Sequence, residues 1–188
     1  MDELLLLEGI LTKTGTLLDG VGDDQWALPT PCPEYDVEAL TNHILGWVQV
    51  FAAGSSGTTY DGDPSAYEHG DAPGDDFRAA ATTLLAGWRG HGTDREISVA
   101  GGMSPGPMVL NMTLMEYLTH GWDLATATGQ PVPFTEEEGE LVLGRAQQTL
   151  PDEYRGQAFG HQVPVDDGAP AVDRMVAFLG RDPSSSAR

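Results

Sequence analysis

Apolar residues recur at spacings of three and four through most of this chain, and glycine or proline interrupts each run, so the sequence is confined to a set of amphipathic helices joined by breakers. Leu4, Leu7, Ile10, Leu11, Leu17 and Leu18 predict a first helix over 3–19, ended by Gly20 and Gly22. Three prolines among residues 28–33 forbid a helix interior and predict an extended connection. Asp36 then stands as an N-cap for a second helix over 37–53, with Val37, Leu40, Ile44, Leu45, Val48 and Phe51 on its apolar stripe. Residues 54–75 are rich in Gly, Ser, Thr, Asp and Pro and predict a long loop, a lid or an insertion near the site. Asp61-Gly-Asp63-Pro-Ser65 within it faintly resembles a calcium loop, but Ala66 and Ala72 stand where that loop needs glycine and glutamate.

A third helix is predicted over 77–88, closed by Gly90 and Gly92, and then a short extended piece over 96–99. Pro105-Gly-Pro107 introduces a fourth helix over 109–128, terminated by Gly129 and Pro131. Thr135 followed by Glu138 has the form of a capping box and opens a fifth helix running to residue 150. A short helix over 173–179 precedes a polar tail, 184–188, expected to be disordered. The whole reads as one all-α domain, 1–183, of a length that one hydrophobic core can serve.

Nine basic against 29 acidic residues give a net charge of −20, which repels nucleic acid and anionic membrane alike. No apolar run approaches the roughly 20 residues of a bilayer span, and the N-terminus lacks the basic segment and cleavage site of a signal peptide, so a cytoplasmic location is expected. The single cysteine, Cys32, excludes an intrachain disulfide. It can serve as a packing group, a redox-sensitive thiol or an additional metal ligand. A small-molecule substrate is the expected partner, and a homodimer through an exposed apolar helix face is compatible with the pattern.

Chemistry concentrates on two helices. Glu116 and His120, four residues apart, share one helix face, and His43 on the second helix can reach the same point if the two helices pack antiparallel. Two imidazoles and a carboxylate suit a borderline divalent ion, zinc first and nickel second, and leave a coordination position open. Asp123, three residues beyond His120, can orient that ligand or act as a base. His69, His91 and His161 lie in polar loops and read as solvent-exposed. Trp26, Trp47, Trp88 and Trp122 read chiefly as core, with a pocket lining as the alternative. There is no nucleophile elbow, phosphate-binding loop or dinucleotide fingerprint.

Taken in order, Thr30-Pro-Cys32, Tyr35-Asp36-Val37, Leu40-x-x-His43, Glu116-x-x-x-His120-x-x-Asp123-Leu-Ala125, Thr128-Gly129 and Asp173-Arg-Met-x-x-Phe-Leu-Gly-Arg-Asp-Pro183 resemble the metal-binding proteins related to the N-terminal domain of mycothiol-dependent maleylpyruvate isomerase, in the DinB-like four-helix-bundle superfamily. The resemblance implies an up-down-down-up four-helix bundle with additional short helices, metal ligands at His43, Glu116 and His120, and mycothiol as a thiol cosubstrate for isomerisation or S-transfer on a small electrophile. A metal-dependent hydrolase and a non-catalytic small-molecule-binding protein are the alternatives. Tyr35 stands where relatives commonly carry Trp, and the chain stops at Arg188, short of the C-terminal domain that contributes to the isomerase active site.

Overall fold

Helix α1 (Glu3–Asp19) starts where the Asp2 carboxylate accepts hydrogen bonds from the backbone N–H groups of Leu4 and Leu5, and it buries Leu6, Leu7, Ile10, Leu11, Leu17 and Leu18. Helix α2 (Val37–Ser55) starts in the same way, with the Asp36 carboxylate accepting from the Ala39 N–H. The computed structural model describes residues 2–99, 101–150, 155–156 and 159–184. Helix α3 (Pro73–His91) begins one turn before the predicted 77, because Pro73 in the first helical position supplies a preset φ and lacks an N–H that would go unpaired. Helix α4 (Gly106–Thr128) likewise incorporates Pro107 in its first turn, and Gly129 closes it with φ of 71°. Helix α5 (Glu136–Thr149) carries the predicted capping box in full, Thr135 Oγ1 accepting from the Glu138 N–H while the Glu138 carboxylate accepts from the Thr135 N–H. Helix α6 (Ala171–Phe178) is the last helix among the described residues.

The architecture is mostly helical, and α1 and α2 each pack against both α3 and α4, with α5 and α6 packed on each other and on α4. Helix α4 is buried nearly all round between Thr113 and Ala125, which is the burial expected of a central helix. The core joins Leu6, Leu7, Leu40, Ile44, Phe77, Leu84, Trp88, Leu114, Tyr117 and Leu118. Where α2 meets α3 the helices are so close that a Cβ on Gly87 would lie 2.6 Å from the carbonyl carbon of Ser55.

Two features depart from a purely helical reading. Residues 96–99 form strand β1 (Glu96–Val99), which pairs antiparallel with β2 (Gly102–Pro105) and buries Ile97 against the helices. The 54–75 stretch is also shorter and more ordered than a loop: α2 runs to Ser55, a 3-10 turn spans Pro64–Ala66, and α3 opens at Pro73. Asp63 caps that turn through the Ser65 N–H, so this carboxylate has a local structural role. The turn seats on α2 at Gly46, where a Cβ would meet the Pro64 carbonyl oxygen. No helix is long and apolar enough to cross a membrane among the described residues. Of the polar tail, Ser184 donates its backbone N–H to Asp182, and 185–188 lie outside the described residues.

Candidate metal centre

Helical spacing places His43 one and a half turns into α2, and Glu116 and His120 one turn apart in the middle of α4. Packing of α2 on α4 brings their donor atoms within 4.8 Å of one another. Glu116 Oε1 lies 2.9 Å from His43 Nε2 and 3.6 Å from His120 Nε2. That oxygen is shut off from solvent, yet no well-directed N–H reaches it. A buried carboxylate oxygen left without a hydrogen bond is costly, and here it shares a small volume with two imidazole nitrogens. This arrangement fits a divalent cation, whose charge would satisfy the oxygen and both nitrogen lone pairs at once.

The other face of each imidazole is already held. His120 Nδ1 is 3.0 Å from Asp123 Oδ2, so the ring donates Nδ1–H to a carboxylate and keeps the Nε2 lone pair for a ligand. His43 Nδ1 is 3.0 Å from the Tyr35 hydroxyl, and the two rings lie 4.8 Å apart. Arg181 completes the network, its Nη2 donating to Asp123 Oδ2 at 2.9 Å.

Electrostatics follow from this packing. Burial disfavours ionisation of Glu116, but the His120 and His43 imidazoles outweigh it and hold the carboxyl below its ordinary value. Burial works equally against a charged His120, and Glu116 and Asp123 reverse that, holding the ring above the usual imidazole value. Burial pushes the Cys32 thiol up, against the opposing effect of Arg181, which makes Cys32 a poor nucleophile.

A cavity of about 210 Å³ adjoins the cluster, lined by Trp47, Phe51, Met112, Met115, Phe159 and Leu179 together with Arg181. A second hollow of about 270 Å³ shares His43 and is walled by Tyr35, Asn42, Tyr67 and Glu68. The 56–72 connection therefore flanks the site as a fastened wall. Among the tryptophans, Trp88 and Trp122 are core and Trp47 lines the cavity. His91 and His161 are exposed, as expected, but His69 stacks on Trp26 at 4.6 Å and is half-buried.

The family model for the mycothiol maleylpyruvate isomerase N-terminal domain matches residues 7–125, more than half of the chain. The chain belongs to that family. The matched stretch holds His43, Glu116, His120 and Asp123, and it stops before Phe159, Leu179 and Arg181. Two curated relatives, the uncharacterized proteins Rv0738 and MT0763 of Mycobacterium tuberculosis strains H37Rv and CDC 1551, are each 28% identical over 183 residues, covering 96% of this chain and 98% of their own length. No solved structure matches the chain significantly. Sequence reasoning missed Arg181 as a site residue. The available signals were its place in the 173–183 stretch that carries the resemblance and its rarity, one of nine basic residues in a chain with 29 acidic ones.

Proposed function

We propose that this protein is a divalent-metal-binding member of the DinB-like four-helix-bundle superfamily, in which His43, Glu116 and His120 hold zinc, or nickel, and a low-molecular-weight thiol such as mycothiol is the cosubstrate for isomerisation or S-transfer on a small electrophile. The observation that carries the reading is Glu116 Oε1, buried and without a hydrogen bond between two imidazole nitrogens whose far sides are held by Asp123 and Tyr35. When bound, a borderline divalent ion supplies Lewis acidity, lowering the pKa of a thiol so that sulfur is nucleophilic near pH 7. Asp123 holds His120 with its Nδ1–H turned inward, and the Tyr35 hydroxyl fixes the tilt of His43, so neither ring must reorganise to present its donor. The apolar wall from Trp47 to Leu179 excludes water and receives the carbon body of the electrophile.

In the isomerisation the sulfur forms a bond to an activated alkene carbon, rotation follows about the resulting single bond, and expulsion of the same sulfur restores the double bond. In S-transfer the carbon–sulfur bond is kept and a leaving group departs with the electron pair of its bond to carbon.

The test is turnover by zinc-loaded protein given mycothiol and either maleylpyruvate or an alkyl halide, beside Glu116→Gln. Thiol-dependent turnover that Glu116→Gln abolishes supports the reading. Turnover independent of thiol would replace it with hydrolysis through activated water, and binding without turnover would replace it with a non-catalytic small-molecule-binding protein.

A further inference from the structure

Cys32, His120 and Asp123 form a second group whose donor atoms lie within 4.8 Å of one another, on the side of His120 away from Glu116. A cation already stands there. The Arg181 guanidinium donates from Nε to Asp123 Oδ1 at 3.2 Å and from Nη2 to Oδ2 at 2.9 Å, a two-point grip that fixes the plane of the carboxylate. Asp123 is fully buried, so its charge depends on such a partner. The same Oδ2 accepts the Nδ1–H of His120 at 3.0 Å. Arg181 follows α6 by a short turn, and its Nη1 also donates to the Leu179 carbonyl, beside the two residues, Phe159 and Leu179, that wall the cavity from the C-terminal part of the chain.

We propose that Arg181 is a positioning residue for the ligand His120: acting through Asp123 it fixes the ring with Nε2 free, and it fastens the segment after α6 as a wall of the cavity. The inference rests on the metal reading above and extends the site into residues beyond the 7–125 family match. It also assigns the Cys32 group as a closed charge network, so the protein takes up one equivalent of zinc.

The test uses full-length protein, wild type beside Arg181→Met, Arg181→Lys, Asp123→Asn and the Arg181→Met/Asp123→Asn double variant. Zinc affinity comes from chelator competition, and the His120 tautomer from nitrogen-15 imidazole spectra of metal-free protein. Asp123→Asn is expected to weaken zinc about 10- to 100-fold, the range for losing an outer partner of a histidine ligand, and Arg181→Met, which acts through Asp123, about tenfold, the low end of that range, with partial recovery in Arg181→Lys. The double variant should lose little more than Asp123→Asn alone. In spectra recorded at a pH high enough for the ring to be neutral, His120 carries its proton on Nδ1 in the wild type and divides between tautomers in Arg181→Met. A purely structural role would lower the melting temperature and leave the tautomer unchanged, overturning the proposal, as would zinc affinity in Arg181→Met equal to wild type. If the wild type takes up no zinc the metal reading falls, and the metal-free spectra still decide whether Arg181 sets His120.

Discussion

Replacing Gly87 by alanine tests the crossing that holds the His43 helix in place. The added Cβ would lie 2.4 Å from Ser55 Oγ and 2.6 Å from the Ser55 carbonyl carbon, against roughly 3.5–4.0 Å for a relaxed carbon contact. Relief demands that α2 and α3 part by about 1 Å. Helix propensity favours the substitution by about 1 kcal/mol, whereas overpacking a core costs about 1–3 kcal/mol. The upper end applies because the obstacle is the backbone of a buried residue, which no rotamer change can move. The net loss is about 2 kcal/mol, or about 4–8 °C in melting temperature for a chain of this size. Gly144 supplies the control: it lies inside α5, where an added Cβ would meet nothing within 4 Å, so Gly144→Ala should gain up to about 1 kcal/mol and about 2–4 °C. Thermal melts followed by far-ultraviolet circular dichroism decide between the two effects. Gly87→Ala melting at or above wild type would refute the close crossing, because propensity alone would then be acting.

Three further outcomes are expected. Because His120 in the metal-free protein titrates above the ordinary imidazole value, its charged form stabilises the fold at acid pH and that contribution fades as pH rises through the raised value. Zinc must displace the same proton, so its affinity should fall as pH drops from about 8 toward 5; a flat profile in competition titrations contradicts this. Tyr35→Phe removes the hydroxyl beside His43 Nδ1 and should weaken zinc on the order of tenfold, the low end for a partner of this kind, with wild-type affinity as the contrary result. Gly46→Ala drives a Cβ into the Pro64 carbonyl and should speed hydrogen exchange across 58–70 while leaving zinc stoichiometry unchanged; unaltered exchange would mean that the 3-10 turn is not seated on α2.

Much of this fold is legible in local chemistry, because caps and stripes act over a few residues. Asp36 before Val37, Thr135 with Glu138, and Gly129 after Thr128 each mark a boundary that the structure realises. The misplaced starts of α3 and α4 share one cause, a proline that reads as a breaker yet occupies the first helical turn. Strand β2 escaped notice because Gly102–Pro105 has no β-branched residue, and its partner β1 gives it its conformation. The Pro64–Ala66 turn depends on a glycine in α2 distant in sequence, so composition alone reads it as open loop. At the site, helical spacing pairs Glu116 with His120, and His43 follows once α2 packs on α4. Arg181 lies 58 residues from Asp123 with no periodicity linking them, and only the tertiary fold brings them together.

The most direct measurement is the elemental content of protein purified without added metal, beside His43→Ala and His120→Ala. Near one equivalent of zinc or nickel in the wild type, lost in both variants while the helical circular dichroism signal persists, is the predicted result. Wild-type protein without metal even after reconstitution, or metal content equal in all three, would contradict the assignment of His43, Glu116 and His120 as a metal centre.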